Sequence, residues 1–237
     1  ICRTLSDAGV TPMAFGNQER WEGVHYLSMF NQKVVGEDTI AEDYILATPS
    51  EELFADPNYA AAFQPLLEMV DAGCFGEAVN STTPNAALAQ FFTEQTAMYY
   101  QGTWIISQLA ENDFDGQYGM FRMPAITDGA GNQNYVLMGP IGLEVSAQTA
   151  QPEAAIAFLD FFINQENQLA LMEDLNRLPV RSDVSSENVP DSFTYVVNDL
   201  AQAEGATTWL DTILDVPWGT RSDETLDVHD ARAVLDA

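Results

Sequence analysis

The chain has 237 residues, of which 46% are hydrophobic and 19% are charged, a balance that fits one or two globular domains rather than a disordered chain. Its formal net charge is −28, because 36 acidic residues stand against 8 basic ones. Nucleic acids and anionic membrane surfaces bind basic faces, so this charge makes both poor partners, and we predict binding to neither. It fits a salt-adapted source or a highly soluble secreted protein. No apolar run reaches the roughly 20 residues of a membrane span.

The first part of the chain predicts alternating helices and strands. The predicted elements are a helix over 1–9, a strand over 10–15, a helix over 23–35, a polar turn-rich segment over 36–56, a helix over 57–73 and a helix over 85–92. Trp21 stands in the polar loop after the first strand. That placement is typical of a binding cleft, and equally of a Trp that caps the edge of a core.

The segment 91–107 is the centre of the predicted organisation. A short strand over 96–100 ends at Gly102, and Thr103 then provides the N-cap of a helix that starts with Trp104. Ligands of open α/β sheets bind at the carboxyl ends of the strands. The sequence therefore places the indole ring of Trp104 at a ligand-binding edge.

The later part of the chain predicts strands over 118–123 and 135–146 and helices over 152–163, 166–175, 192–203 and 207–214. Residues 127–132 have the composition of a calcium loop but lack its alternating acidic ligands and closing Glu, so we predict a connecting loop. Gly139 would allow a backbone or ligand to approach its strand closely. Arg181 lies in a compact loop, where a salt bridge is the alternative to a role in binding. Trp218 lies in another loop.

Cys2 and Cys74 are the two cysteines of the chain. Two buried thiols and one disulfide bond both fit so small and even a number. Neither cysteine lies in a C-x-x-C motif, so we expect a structural role.

Sequence motifs of enzymes are missing. The chain has no phosphate-binding glycine loop, dinucleotide fingerprint, zinc-protease helix or nucleophile elbow. His25 and His229 are the two histidines, and neither has the supporting pattern of a catalytic triad or a metal site. Four Trp and eight Tyr without catalytic motifs favour stacking on the apolar face of a sugar. We predict no enzyme activity, no metal and no cofactor.

The order of these elements resembles a known family, the extracellular solute-binding proteins of bacterial ABC importers, of the sugar-binding type related to maltose-binding protein. The matching residues are Ala8 to Pro12 with Trp21, Phe92, Thr96 to Met98, Gly102 to Trp104, Tyr118 and Gly119, Met123 and Pro124, the strand over 139–146, the helix over 152–163 and Leu178 to Arg181. The resemblance covers nearly the whole chain.

The resemblance implies an α/β fold with two lobes, the class II periplasmic-binding-protein-like fold, in a chain that lacks most of the N-terminal part of the first lobe. Residues 1–130 would form the main part of the second lobe, and residues 185–237 its closing helices. Residues 131–184 would be the returning segment of the first lobe. Without its partner strands, this segment is expected to expose apolar faces.

The resemblance also implies the function. A sugar would be held between the lobes by hinge closure and delivered to a membrane permease with its ATPase subunits, without covalent chemistry. The protein would be a monomer, periplasmic or extracellular, free or held by a lipid anchor. Trp104 is the leading candidate for stacking on the sugar. The other predicted ligand-binding residues are Trp21, Trp218, Gly139, Arg181, Asn17, Gln18 and Glu22.

Two other functions fit the same sequence. A binding protein for another solute, such as a polyamine or a peptide, would have the same architecture. A carbohydrate-active enzyme is the second alternative, and it would convert its substrate where a binding protein returns it unchanged. Inward-pointing carboxylates would favour a polyamine, whereas a cleft lined by Trp favours a sugar.

Overall fold

The computed structural model describes residues 1–45, 47, 49, 52–114, 117–139, 142–175, 177–184 and 193–212. These residues form two compact units. Unit 1 contains the described residues within 1–100, 122–139 and 203–212, and unit 2 contains those within 101–121 and 142–202. The unit boundaries differ from the lobe boundaries predicted after residues 130 and 184, and the assignment of units to lobes stays a prediction.

The described residues contain short helices and strands in alternation. In chain order they are α1 Cys2–Asp7, β1 Thr11–Ala14, α2 Trp21–Val34, α3 Glu37–Tyr44, α4 Asn58–Ala61, α5 Gln64–Asp71, α6 Pro84–Phe92, β2 Thr96–Tyr99, α7 Ile105–Glu111, β3 Tyr135–Leu137, α8 Pro152–Phe162, α9 Gln165–Leu175, α10 Thr194–Leu200 and β4 Gly205–Thr207. Single 3₁₀ turns occupy Asn17–Glu19, Val79–Ser81 and Leu210–Thr212.

Two parallel strand pairs, both in unit 1, set the direction of the fold. β1 pairs with β2, with Ala14 opposite Tyr99 at their carboxyl ends, and β3 pairs with β4. Because the strands of each pair are parallel, the loops that follow them leave from the same edge. The loop from β1 into α2 and the residues after β2 therefore start side by side.

Aromatic side chains fill the core of unit 1. Phe15, Tyr26, Phe30 and Tyr44 are all buried there, together with Ile40. The rings of Phe15 and Tyr26 meet edge to face, with centroids 5.1 Å apart. Such pairs add roughly 0.5–1.5 kcal/mol beyond the burial of their area. This core fixes α2 against the sheet, and with it the loop at the start of α2.

A glycine-rich loop covers the carboxyl end of α2. Gly131 lies so close that a Cβ atom there would stand 1.8 Å from the carbonyl oxygen of Gln32. The amide of Gln133 donates to the carbonyl of Lys33 at 2.9 Å, and the Lys33 ammonium donates to the carbonyl of Gln133 at 3.0 Å. The connecting loop predicted over 127–132 thus supplies partners to a helix end, whose last carbonyls lack intrahelical donors.

A disulfide bond joins Cys2 to Cys74, one of the two alternatives that the sequence left open. It ties α1 to the residues that follow α5. Ser6 on α1 adds a hydrogen bond of 2.8 Å to the carbonyl of Gly73.

Unit 2 is a helical unit with a small core and an uncovered helix. Ile106, Phe193 and Val196 form its buried cluster. α8 has no buried residue, and its Phe158 and Phe161 side chains are 56% and 62% exposed. The expectation that the segment around α8 exposes apolar faces agrees with this burial.

Several predicted elements are wrong. The strand predicted over 118–123 does not form, because no described strand pairs with that segment. The predicted turn segment 36–56 contains α3, in which Ile40 and Tyr44 repeat at helical spacing and are both buried. The helix predicted over 57–73 is split into α4 and α5, and the N-cap predicted at Thr103 falls on Trp104. Within 207–214, the described residues end β4 and form a 3₁₀ turn.

Candidate functional site

The loop between β1 and α2 is held by buried polar side chains. Asn17 is fully buried; its amide nitrogen donates to Asn80 at 2.8 Å, and its amide oxygen accepts from the Gly23 N–H at 3.1 Å. The N–H of Gly16 donates to the Glu22 carboxylate at 2.7 Å. These contacts fix the path of the loop from the strand into the helix.

Glu22 connects α2 to the loop that follows β1 and to the end of β2. The residue is 2% exposed, and its carboxylate accepts hydrogen bonds from the Gly16 N–H and from the Tyr99 hydroxyl at the end of β2. Buried charges are tolerated when they are hydrogen-bonded in this way. The hydrogen bonds described for Asn17 and Glu22 stabilise the fold. A role of these two residues in ligand binding stays a prediction.

Gln18 and Arg20 complete the loop on its outer side. Gln18 is exposed and is attached through its backbone N–H, which donates to the Thr82 carbonyl at 3.0 Å. Arg20 has φ 68° and ψ −26°, a left-handed conformation that a non-glycine residue seldom adopts. Its Nη1 atom is buried and has no hydrogen-bond partner among the described residues. Residues in strained backbone conformations cluster at functional sites.

Three aromatic rings stack beside this loop. The Trp21 ring meets the His25 ring edge to face, with centroids 5.0 Å apart. The His25 ring lies 4.1 Å from the Trp209 ring at an angle of 35°. Trp21 is partly exposed, whereas Trp209 is 9% exposed, so Trp21 is the more accessible of the two indoles.

The 3₁₀ turn after β4 anchors the stack to α2. His25 Nε2 lies 3.5 Å from a carboxylate oxygen of Asp211. The N–H of Leu210 donates to the Ser28 hydroxyl at 3.0 Å. Gly139 follows β3 and lies against Trp209, since a Cβ atom there would stand 2.6 Å from the indole Cδ1. Gly139 thus allows a close approach, but the group that it approaches is Trp209.

Two tyrosines of unit 1, Tyr26 and Tyr100, pack against each other. The rings of Tyr26 and Tyr100 lie 4.6 Å apart, and both hydroxyls are buried without a hydrogen-bond partner among the described residues. Burial raises the pKa of Tyr26 well above its ordinary value, and the neighbouring Tyr100 adds to this shift. Both hydroxyls therefore stay protonated near neutral pH.

Trp104 is held in unit 2 at the N-terminus of α7. Its indole N–H donates to the Gln101 amide oxygen at 2.8 Å, and the ring lies over Gly102, where a Cβ atom would stand 2.2 Å from it. Trp104 stays partly exposed. A flat ring fixed by a hydrogen bond at one edge is suited to stacking.

Arg181 forms a bidentate ion pair with Asp183. Its Nε and Nη2 atoms donate to the two carboxylate oxygens at 2.7 and 2.5 Å. The hydrogen bond from Arg181 lowers the pKa of the Asp183 carboxyl. Arg181 thus forms the salt bridge that was the alternative to a role in binding. A ligand bound by Arg181 would have to share its guanidinium with Asp183.

The structure brings together only part of the predicted set. Asn17, Gln18, Trp21 and Glu22 share the segment that joins β1 to α2. Trp218 lies outside the described residues. Sequence reasoning missed Trp209 as a member of the stack, and considered His25 only for catalysis or a metal site. His25 could have been found from its position one helical turn after Trp21.

Two features are absent from the described residues. No cluster of three or more His, Cys, Asp or Glu side chains in this part of the chain could hold a metal ion. No helix within it has both the length and the apolar character needed to cross a membrane.

Comparisons with known proteins identify the family. Residues 22–222 match the family described as bacterial extracellular solute-binding protein, and the chain belongs to this family. The predicted family and the predicted α/β, class II periplasmic-binding-protein-like fold are both confirmed. The family is defined by solute binding rather than by catalysis, which agrees with the prediction of a non-enzyme.

Solved structures share the fold over nearly the whole chain. One comes from a study of xylan utilization by the thermophilic bacterium Caldanaerobius polysaccharolyticus, with 23% identity, 98% of this chain and 59% of that chain covered, and a TM-score of 0.82. A chitin oligosaccharide binding protein has 22% identity over 99% of this chain and 62% of its own, with a TM-score of 0.74. A solute-binding protein in complex with raffinose has 16% identity over 99% and 61%, with a TM-score of 0.70.

The chain therefore spans about three fifths of the solved structures that it matches. A separate match of 30 residues is 60% identical to the Lon protease of Frankia alni and covers 13% of this chain and 3% of that protein. A match of this length carries no family assignment.

Proposed function

We propose that this chain is part of a receptor that captures a mono- or oligosaccharide for an ABC importer. The observation that carries the proposal is the half-buried Trp21 ring, which follows the carboxyl end of β1 and is backed by the His25 ring. Ligands of such sheets bind at this edge. An indole buries the apolar face of a sugar, and neighbouring polar groups bond to its hydroxyls.

Trp104, in unit 2, is a second aromatic residue suited to this function. It is partly exposed, and its ring is held in place by Gln101 and Gly102. A stacking ring that is already fixed loses little conformational entropy when the ligand binds. We propose Trp21 as the sugar-stacking residue of unit 1, with Gln18 as an exposed hydrogen-bonding partner beside it, and Trp104 as the sugar-stacking residue of unit 2.

The solved structures that share the fold include proteins named for chitin oligosaccharide and raffinose, which supports a carbohydrate as the ligand. Membership of the extracellular solute-binding family supports a location outside the cytoplasmic membrane, periplasmic or extracellular, free or lipid-anchored. We propose that the loaded protein acts as a monomer, delivers its sugar to a membrane permease driven by ATPase subunits, and performs no covalent chemistry.

The first test is a thermal-shift screen of the full chain against mono- and oligosaccharides, with polyamines, peptides and amino acids as controls. A ligand that binds only the native state raises the midpoint with the logarithm of its concentration over its Kd. We expect a shift with one class of sugar, and the recovered sugar should be chemically unchanged. Shifts with amines or peptides alone would replace the sugar by another solute, and turnover of the sugar would show an enzyme.

A further inference from the structure

Arg20 has an unusual setting for a charged residue. It lies between the 3₁₀ turn Asn17–Glu19 and the first residue of α2, immediately before Trp21, and its φ of 68° places a non-glycine residue in the left-handed region. Glycine would adopt this conformation without strain. An arginine at this position carries a conformational cost that glycine would not.

The guanidinium group of Arg20 has no partner within the described residues. Nη1 is buried there without an acceptor, and no described residue forms an ion pair or side-chain hydrogen bond with this group. Two other arginines show the contrast. Arg181 binds both oxygens of Asp183, and Arg122 donates to the Asn134 carbonyl at 3.1 Å.

A buried N–H without an acceptor is unfavourable, and more so when it carries charge. Arg20 as a whole is only partly buried, so rotation about its side-chain torsions can bring Nη1 to the surface. An acceptor supplied from outside the chain would then satisfy it. The next residue, Trp21 at the start of α2, is partly exposed, which suits a ligand that stacks on its ring and carries an acceptor.

We infer that Arg20 is a specificity-determining residue of the sugar site and selects a sugar that bears a carboxylate, such as a uronic acid. This inference rests on the proposed function, because it needs a sugar bound beside Trp21. A carboxylate fits better than a hydroxyl for two reasons. The planar guanidinium presents parallel donors that match two carboxylate oxygens, and the anion neutralises a cation that the described residues leave unpaired.

The test compares matched pairs of ligands on the full chain. Glucose is paired with glucuronate, galactose with galacturonate, and xylotetraose with its glucuronate-substituted form, each measured by thermal shift and then by isothermal titration calorimetry. We expect the uronate member of at least one pair to bind with a Kd about 10–100-fold lower than its neutral partner, the range of a charge-assisted hydrogen bond. This preference should shrink as salt is added.

Variants separate Arg20 from general charge and from the backbone. Arg20→Gly removes the guanidinium and favours the observed φ, so we expect the fold to be retained. The neutral sugar and its uronate should then bind with about the same Kd. Arg20→Lys keeps the positive charge but lacks the parallel donors of the guanidinium, so its preference for the uronate should be intermediate. Arg3→Gly, on the exposed face of α1, changes the net charge equally and should leave the preference unaltered.

The outcomes distinguish this inference from the proposed function. If neutral sugars bind as tightly as their uronates, or if Arg20→Gly keeps the preference, the inference is overturned while sugar binding stands. If no sugar of either kind binds the folded chain, both the inference and the proposed function are overturned.

Discussion

The hydroxyl of Tyr99, the last residue of β2, donates a hydrogen bond to the buried carboxylate of Glu22 on α2. This contact joins the end of a strand to the first turn of a helix that carries Trp21. A hydrogen bond to a charged group contributes roughly 1.5–3 kcal/mol. We therefore expect Tyr99→Phe to lower the free energy of unfolding by about 2 kcal/mol, measured by urea denaturation.

The matched control for that variant is Tyr195→Phe, because Tyr195 is 50% exposed. Its loss should stay within about 0.5 kcal/mol, as is usual for surface positions. Equal effects of the two substitutions would show that the Tyr99 contact adds nothing to stability.

Gly131→Ala should destabilise the chain by about 2–3 kcal/mol. The added Cβ would stand 1.8 Å from the Gln32 carbonyl oxygen and 2.9 Å from the Gly36 Cα, so the loop would have to leave the end of α2. Gly76→Ala is the control, since a Cβ there meets nothing within 4 Å. A cooperative unfolding transition at the same urea concentration in both variants would contradict the packing described for this loop.

Removing the disulfide bond should cost about 4 kcal/mol, because the Cys2–Cys74 bond closes a loop with a sequence separation of 72. We expect the Cys2→Ser, Cys74→Ser double variant to unfold at a lower temperature than the parent protein. Addition of a reducing agent should lower the midpoint of the parent and leave the double variant unchanged. A parent midpoint that does not respond to complete reduction would argue against this contribution.

Stability should fall at alkaline pH because of buried tyrosines. Burial raises the pKa of Tyr44 to about 12, above the ordinary value of 10.0. Above pH 10 the unfolded state loses this proton and the folded state keeps it, so the unfolding free energy decreases up to about pH 12, by about 3 kcal/mol for this residue. The phenolate absorbance measured along with circular dichroism should rise together with unfolding.

Tyr44→Phe removes this proton and serves as the control for the alkaline loss. The variant should lose less unfolding free energy than the parent between pH 10 and about 12. Identical pH profiles for the two proteins would rule out Tyr44 as a source of the loss.

Trp104→Ala should weaken sugar binding by about 1–3 kcal/mol if the ring stacks on the ligand, which is roughly a 5–150-fold rise in Kd. Gly102→Ala offers a variant that keeps the indole but displaces it, because a Cβ there would lie 2.2 Å from the ring. Both should raise the Kd, whereas Trp104→Phe should retain part of the affinity. An unchanged Kd in folded Trp104→Ala would remove this residue from the site.

The longer helices could be predicted because their signals are local. α2, α6, α8 and α9 each begin within two residues of the predicted start, where apolar spacing and residues such as Pro84 and Pro152 mark the first turn. The prediction of a strand over 118–123 was wrong because strand formation depends on a partner elsewhere in the chain. An alternating pattern becomes a strand only when another strand pairs with it, and a sequence pattern does not reveal its partner.

In the candidate site, too, local features could be predicted from the sequence and long-range contacts could not. The loop from β1 to α2 and the position of Trp21 could be predicted, since strand and helix signals enclose them. The stack with His25 and Trp209 could not, because it joins residues 184 positions apart through tertiary packing. The burial of Asn17 also escaped prediction. Nothing local distinguishes a buried, fully bonded amide from one that faces a ligand.

The burial of Lys33 leaves the folded chain without an accessible side-chain amine. It is the single lysine of the chain, it is 1% exposed, and its ammonium is held by the Gln133 carbonyl. Acylating reagents would find no side-chain amine until the glycine loop leaves α2. The rate at which Lys33 becomes acylated, followed by mass spectrometry, would thus report directly how often that part of the molecule opens.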